Sequence, residues 1–367
     1  MKDSAPALYS DTASSPSMPR WIHPEVTLVA TDLSDVDRLM PLALEQAAQT
    51  GARLLLLHVL TASETLAADA CGMPYYDPAG AMDFAAKSLE RLCAQARQQD
   101  IPCHALVRRG NPAQQIGAVA RQFRADRVIL CTRSRSRLSK VLLGSVAEQV
   151  LRSVKIPVFT VGPEAHLPVD GSTGERIVLH ATTLRETSRP SAALACQIAA
   201  SQGARLVLLH VLPPLALSNP EPPAENWGLP YLPHPDLPDL DPGLNHPLPN
   251  VIPAQETRHG GQPASFDSAA LHELRRLATE TGAGCGVAVE AQVVHGNPSI
   301  EILAQANERG ARLIVLGAHN GLAFENLTHD RTIYRVLAHA RCPVLTLREF
   351  EPKPGVNEPE RLAIHLR

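Results

Sequence analysis

Asp32 and the segment from Cys131 to Ser145 hold the side chains of this sequence that are best suited to bind an anion. Gly144-Ser145 precedes a run with helical spacing, and a helix start presents free backbone N–H groups to negative charge. Arg133 and Arg135 add cations of the kind that grip phosphate. Asp32 follows an apolar run and could accept a hydrogen bond from a ribose or a base. These residues indicate a site in which a nucleotide could sit.

The elements that must position these residues alternate between strand and helix. Apolar runs predict strands over 26–30, 54–60, 103–107, 128–131 and 157–161, with helical spacing between most of them. Such alternation predicts an α/β fold with an open, mostly parallel five-stranded sheet and helices on both faces. In this fold, ligands bind beyond the carboxyl ends of the strands where the strand order reverses. The loops after the first, second and fourth strands are therefore the expected site.

The whole pattern occurs twice. Arg53–Leu60 returns as Arg205–Leu212, and Gly110-Asn-Pro112 returns as Gly296-Asn-Pro298. We therefore expect two similar domains of the same fold. The expected boundaries are a disordered tail over 1–21, a first domain over 22–162, a linker over 163–174, a second domain over 175–348 with a proline-rich insertion at about 213–264, and a C-terminal tail over 349–367.

Composition limits the functional classes. With 44% hydrophobic residues and a formal net charge of −3, the chain has no general attraction to nucleic acid or to anionic membranes. The sequence contains no apolar stretch of membrane-spanning length and no signal peptide, so we expect a soluble protein. The seven cysteines are scattered and form no Cys-x-x-Cys pair, which predicts neither disulfides nor a metal site and favours the cytoplasm.

The motifs resemble those of the universal stress protein family, in a tandem arrangement. The resemblance rests on Val-Ala-Thr-Asp-Leu-Ser at 29–34, on Leu-Leu-His-Val at 56–59 and 208–211, and on Arg-Gly-Asn-Pro at 109–112. It extends through 135–148 and through the Pro-Val pairs that begin the final strands. The resemblance implies a Rossmann-like fold similar to that of adenine nucleotide alpha hydrolases. It also implies that the final strands, 157–161 and 343–347, pair within the chain, and it leaves a homodimer open.

ATP-binding members of that family use an acidic residue after the first strand, a backbone position after the second, and Gly-x2-Gly-x9-Gly-Ser/Thr after the fourth. The resemblance carries these roles to Asp32, to Val59 and to the motif positions Cys131, Ser134, Gly144 and Ser145, with Arg133 and Arg135 as further phosphate contacts. The first two glycines are therefore replaced. The implied cofactor is ATP or another adenine nucleotide, in the first domain.

The second copy departs further from the motif. Thr183 stands at the position of Asp32, and the motif reads Gly317, Asn320, Asp330, Arg331. A carboxylate at a helix start occupies the N–H groups and repels an anion. We therefore expect the second domain to have a structural role in pairing with the first.

Each candidate also has a plainer interpretation. Asp32 is a typical turn or N-cap residue, His58 and His210 are typical core histidines, and Cys131 is typical of a buried, inert thiol. The arginines near 133–140 form a solvated basic loop by default. No nucleophile, base and orienting group can be assembled, so no catalytic residue is predicted.

Two hypotheses remain. The first is a non-enzymatic cytoplasmic stress-response protein that acts through an unidentified protein partner, with at most one degenerate nucleotide site in its first domain. The alternative is an ATP-binding, slowly hydrolysing switch that uses the same domain.

Overall fold

The computed structural model describes residues 20–68, 74–132, 143–166, 175–212, 264–283, 285–319 and 331–349. The first half contains, in chain order, β1 (Val26–Ala30), α1 (Val36–Thr50), β2 (Arg53–Leu60), β3 (Leu66–Ala68), β4 (Pro74–Tyr76), α2 (Pro78–Arg97), β5 (Cys103–Arg109), α3 (Pro112–Gln122), β6 (Arg127–Cys131), α4 (Ser145–Ser153) and β7 (Val158–Val161). A short 3-10 turn, Ser63–Thr65, lies between β2 and β3.

The second half repeats this order. It contains β8 (Ile177–Ala181), α5 (Arg189–Gln202), β9 (Arg205–Leu212), α6 (Ala264–Ala283), β10 (Val289–His295), α7 (Pro298–Glu308), β11 (Leu313–His319), α8 (Arg331–His339) and β12 (Val344–Glu349). A 3-10 turn, Glu186–Ser188, precedes α5. Within the described ranges, no helix is both long and apolar enough to cross a membrane.

Ten strands form one sheet in the order β10-β9-β8-β11-β12-β7-β6-β1-β2-β5. Each half supplies five parallel strands, as the alternation of strands and helices predicts, and the two halves meet where β7 pairs antiparallel with β12. The pairing of final strands implied by the family resemblance is therefore confirmed. The two sheets expected from the sequence are continuous, because their last strands share hydrogen bonds.

Apolar side chains on both faces of the sheet explain the helical layers above and below it. Along β2, Leu55 and Leu57 belong to one buried cluster, whereas Leu54 and Leu56 belong to the other. Each cluster contains residues of both halves, and so the hydrophobic core is continuous across the antiparallel pair.

The repeated Asn-Pro motif begins a helix in each half. Asn111 accepts a hydrogen bond from the backbone N–H of Gln114, and Asn297 accepts one from the N–H of Ser299, each at 3.1 Å. The following proline lacks an N–H group and occupies the first helical turn, where no intrahelical donor is needed. The motif therefore determines where α3 and α7 start.

The structure also differs from the sequence expectations. The hairpin of β3 and β4 was not predicted, because strands of three residues are too short to show an alternating pattern. Several predicted segments lie outside the described residues, namely 1–19 of the tail, most of the linker, 213–263 of the insertion and 350–367 of the C-terminal tail. The domain boundaries stay predictions.

Candidate functional site

The strand order of the first half reverses between β1 and β6. β1 lies between β2 and β6, and Ala30 is in register with Leu57 on one side and with Leu130 on the other. The loops that follow three adjacent strands, β6, β1 and β2, therefore lie together at the carboxyl ends of the strands. An open parallel sheet binds ligands at these ends.

The turn from β1 to α1 is held by a set of short hydrogen bonds. His58 Nδ1 lies 2.9 Å from the carbonyl oxygen of Thr31, and the Thr31 hydroxyl accepts the Leu33 N–H at 2.9 Å. Leu33 has a φ of 67°, a left-handed conformation that is uncommon for leucine. Because a carbonyl can only accept, Nδ1 must carry the proton in this hydrogen bond. His58 is therefore the buried, hydrogen-bonded histidine that its position indicated.

Asp32 lies inside this turn. Its Oδ1 accepts hydrogen bonds from the backbone N–H of Ser34 at 2.8 Å and from the Ser34 hydroxyl at 2.7 Å. This is the turn geometry that Asp adopts in many loops. A ligand that binds this carboxylate would share it with Ser34.

Asp35 is a functional candidate that the sequence analysis missed. It precedes α1 as an N-cap residue would, but its side chain makes no capping hydrogen bond. Its Oδ1 instead accepts the Thr31 hydroxyl at 2.6 Å, and its carboxyl group contacts the thiol of Cys131. The Thr-x-x-x-Asp spacing was the available signal, but nothing in it shows that the carboxyl group turns inward.

Burial governs the acidity of Asp35 and Cys131, which are 4% and 9% exposed. Removal from water raises the pKa of Asp35, and the charge of Asp32 raises it further, although the Thr31 hydrogen bond and the Cys131 contact oppose this shift. Burial also raises the pKa of the Cys131 thiol, with the charge of Asp35 adding to the effect. The thiol is therefore protonated, in line with the inert-cysteine interpretation.

The start of α4 faces the same edge. The N–H of Gly144 donates to the Thr132 carbonyl at 2.8 Å, so it is engaged, in contrast to the expectation that it would be free for an anion. The first N–H groups of α4 itself, from Ser145 onward, have no acceptor within the helix. Arg133, Ser134 and Arg135 lie outside the described residues.

Val59 lies in β2, beside Arg108 of β5, and its side chain belongs to the core, at 7% exposure. Its backbone is therefore the part that could contact a ligand. Beyond the strand, Glu64 accepts hydrogen bonds from the N–H and hydroxyl of Thr61, each at 2.7 Å, and its other oxygen lies 3.5 Å from His58 Nε2. Glu64 is a second residue that the sequence analysis did not identify.

The equivalent turn of the second half keeps the backbone geometry and loses the acid. His210 Nδ1 lies 2.8 Å from the Thr182 carbonyl, and the Thr182 hydroxyl accepts the Leu184 N–H at 3.1 Å. Leu184 has a φ of 60°. The hydroxyl of Thr183, at the position of Asp32, pairs with Ser188 at 3.0 Å. Asn320 and Asp330 lie outside the described residues.

The comparisons with known proteins agree with this fold and repeat. A model described as Universal stress protein family matches residues 25–162 and 247–348, which together make up more than half of the chain.

The chain belongs to the universal stress protein family.

A universal stress protein of Methanocaldococcus jannaschii is 31% identical over 75 residues, which cover 20% of this chain and 44% of that relative. The match therefore spans less than half the length of that relative. A universal stress protein from Archaeoglobus fulgidus aligns in structure with a TM-score of 0.60 and 18% identity, covering 88% of this chain and 98% of that chain. A protein of unknown function from Pseudomonas aeruginosa aligns with a TM-score of 0.55 and 15% identity, covering 94% and 96%. At these identities, the structural matches show the fold alone.

Proposed function

We propose that this universal stress protein is a non-enzymatic cytoplasmic stress-response factor that acts by binding a protein partner. In this proposal it has at most one adenine-nucleotide site, a degenerate one in the first domain, formed by Asp32, Val59, Cys131, Ser134, Gly144 and Ser145. The observation that carries it is the buried contact between Cys131 and Asp35 at the carboxyl end of β6. By the family resemblance, Cys131 stands where ATP-binding members have a glycine, and Asp35 adds a carboxyl group beside its thiol.

Three features support weak binding. The Cys131 side chain fills space that a glycine would leave open. The Gly144 N–H already donates to Thr132, and Asp35 places a second acidic side chain near Asp32. Each hydrogen bond that phosphate fails to make costs about 1–3 kcal/mol. Two such losses would move a micromolar dissociation constant toward the millimolar range, because about 1.4 kcal/mol corresponds to tenfold.

The second domain is assigned a structural role in this proposal. Its final strand pairs with that of the first domain, and Thr183 replaces the acid at the end of β8. The antiparallel pair is completed by Thr160, whose hydroxyl donates to the Val344 carbonyl at 3.0 Å. One chain therefore contains its own domain pair.

The test begins with freshly purified full-length protein. It is denatured, the supernatant is chromatographed for adenine nucleotides, and the folded protein is titrated with ATP in a calorimeter. We expect less than stoichiometric nucleotide and dissociation constants near the millimolar range. Stoichiometric nucleotide carried through purification would overturn the proposal.

The alternative, an ATP-binding and slowly hydrolysing switch, draws support from the first turn of α4 and from Asp32. The two lie after adjacent strands, and a helix start favours a polyphosphate. If the first domain holds ATP, Asp32→Ala will weaken binding by about tenfold, the equivalent of one hydrogen bond. Thr183→Ala in the second domain is the matched control and should leave binding unchanged. Equal affinities for the wild type and the Asp32→Ala variant would exclude this alternative.

A further inference from the structure

Two cysteines that are ten positions apart in the sequence contact each other between α2 and β5. Cys93 lies on α2 and Cys103 begins β5, and their Sγ atoms are 2.9 Å apart. Both are core residues, with 0% and 2% exposure. Both residues are free thiols, and the spacing of the cysteines in the sequence did not indicate this contact. A disulfide has an S–S distance of about 2.05 Å, so bond formation requires the sulfur atoms to approach by about 0.9 Å.

The tight return of the chain after α2 produces this contact. The N–H of Ile101 donates to the Ala96 carbonyl at 3.1 Å, and Asp100 takes a left-handed conformation with a φ of 59°. The Arg97 guanidinium then donates to the Cys103 carbonyl through Nε at 3.2 Å and Nη2 at 2.8 Å. These bonds hold the end of α2 against the start of β5, so the two sulfurs are preorganised.

We propose that Cys93 and Cys103 are an oxidation site at which a peroxide converts the two thiols into a disulfide. The Cys93 sulfur attacks one peroxide oxygen, the O–O bond breaks, and the departing hydroxide takes up a proton to become water. The Cys103 sulfur then displaces the hydroxyl group of the Cys93 sulfenic acid and releases a second water. Two electrons pass from the two thiols to the peroxide, which is the oxidant that the reaction consumes.

The local chemistry assigns the first step to Cys93. The Cys103 thiol donates a hydrogen bond to the Cys93 sulfur and thereby lowers the pKa of the Cys93 thiol, although burial and the charge of Glu90 oppose the effect. The Arg97 charge acts in the same direction as the hydrogen bond. Arg97 forms a salt bridge with Glu90 at 2.6 Å, and both side chains are about half exposed, at 45% and 57%. Arg97 therefore links the buried thiol pair to charged side chains at the protein surface.

The second domain offers an internal comparison. Cys196 and Cys285 also contact each other, but burial, together with this contact, raises the pKa of Cys196 to about 12. Each sulfur has a further partner, since Cys196 donates to the Thr281 carbonyl and Cys285 accepts from the Gln197 amide, each at 3.4 Å. Burial therefore disfavours the Cys196 thiolate, and we expect this pair to react more slowly than the pair in the first domain.

The consequence of oxidation is a covalent link between α2 and β5, which is an edge strand of the ten-stranded sheet. The last turn of α2 and the start of β5 would then be unable to separate. Exposure to peroxide would therefore make this edge of the sheet more rigid, whether or not a nucleotide is bound.

The test treats the folded full-length protein with limiting hydrogen peroxide, blocks the remaining thiols, and digests the chain with trypsin. Cleavage after Arg91, Arg97 and Arg108 places the two cysteines in separate peptides, 92–97 and 98–108. We expect these peptides to be recovered as a disulfide-linked pair, about tenfold more abundant than any other linked pair. Protein oxidised after unfolding in guanidinium should yield less of this pair, because only the ten-residue spacing then brings the two cysteines together.

Matched variants complete the experiment. Cys93→Ser and Cys103→Ser should each abolish the linked peptides, whereas Cys342→Ser, which removes another buried thiol, should leave their yield unchanged. A thermal melt of each variant checks that it is folded. The result for the wild-type protein does not depend on whether the variants fold. The proposal is overturned if the folded wild type yields no linked pair, or no more than the unfolded chain.

Discussion

The turn between β1 and α1 and the turn between β8 and α5 have the same backbone and different chemistry. In both turns, a histidine Nδ1 lies within hydrogen-bond distance of a threonine carbonyl oxygen, at 2.9 and 2.8 Å. The leucine two residues after each threonine has a positive φ, 67° and 60°. In the first turn Asp32 adds a carboxyl group, and Thr183 takes its place in the second turn, where Glu186 stands at the position of Asp35. The strand and turn scaffold is therefore maintained by hydrogen bonds that do not involve the side chain of Asp32 or of Thr183, the candidate ligand-binding positions.

The hydrophobic core, unlike the two turns, is shared by the two halves. The sheet and both apolar clusters run through both halves, and Phe159 of β7 is in register with Leu345 of β12. Site chemistry therefore separates the halves, whereas packing unites them.

Phe159→Ala tests whether the two halves unfold as one unit. Phe159 is fully buried at the joint, and removal of a buried phenylalanine side chain costs about 3–5 kcal/mol of unfolding free energy. We expect one urea transition at a lower midpoint, recorded both by circular dichroism and by fluorescence. Leu345→Ala is the matched change in the second half. Two separated transitions in either variant would break the view of a shared core.

His180→Val tests a buried histidine that the second half alone carries, since Val29 is its counterpart in the first. Burial lowers the pKa of His180 to about 4, although its hydrogen bond to the Val315 carbonyl opposes this, and its Nε2 finds no acceptor or donor among the described residues. In the unfolded chain the His180 side chain takes up a proton near pH 6.5, whereas in the folded protein it does so only near pH 4. The free energy of unfolding is therefore unaffected by His180 above pH 6.5 and falls by about 3 kcal/mol as the pH is lowered toward 4.

The variant should therefore be less sensitive to acid than the wild type. Urea midpoints measured between neutral pH and pH 4 give the comparison, and the gap between the two proteins should widen in favour of the variant as the pH falls. A gap that stays constant across this range would show that His180 does not titrate in the expected way.

His58→Ala and His210→Ala compare the two turns directly. Loss of His58 leaves the Thr31 carbonyl without its donor in the core, which costs about 1–3 kcal/mol. His210 makes the same bond but is partly exposed, so water can replace it at lower cost. Chemical denaturation should rank the His58 variant as the less stable. The opposite ranking would show that the two turns are not equivalent in energy.

Cys131→Gly sharpens the contrast in chemistry. The change restores the first glycine of the nucleotide motif and removes the thiol that contacts Asp35. We expect ATP affinity to rise by about tenfold, measured by calorimetry, because about 1.4 kcal/mol of lost contact is regained. Gly317→Cys, the reverse change in the second half, should have no effect on binding. An unchanged affinity in Cys131→Gly would show that Cys131 does not limit the site.

Several elements were predictable from local sequence alone. The strand Val26–Ala30 agrees with the structure at both ends, because an apolar run followed by Thr-Asp-Leu-Ser is a buried strand followed by a turn. The start of α3 at Pro112 follows in the same way from the Asn-Pro pair. The hairpin of β3 and β4 was missed, since three-residue strands leave no periodic signal.

The repeat, the alternation of strands and helices, the family and the loss of Asp32 in the second copy could be predicted from the sequence, because they depend on residue identity and local spacing. The contact of Asp35 with Cys131, the hydrogen bond of Gly144 and the contact between the sulfurs of Cys93 and Cys103 are seen only in the folded chain. Burial and the choice of hydrogen-bond partner depend on how separate elements pack against each other, and local spacing does not specify this packing. Local propensity specifies where a helix begins, but the neighbouring strand specifies what its side chains touch.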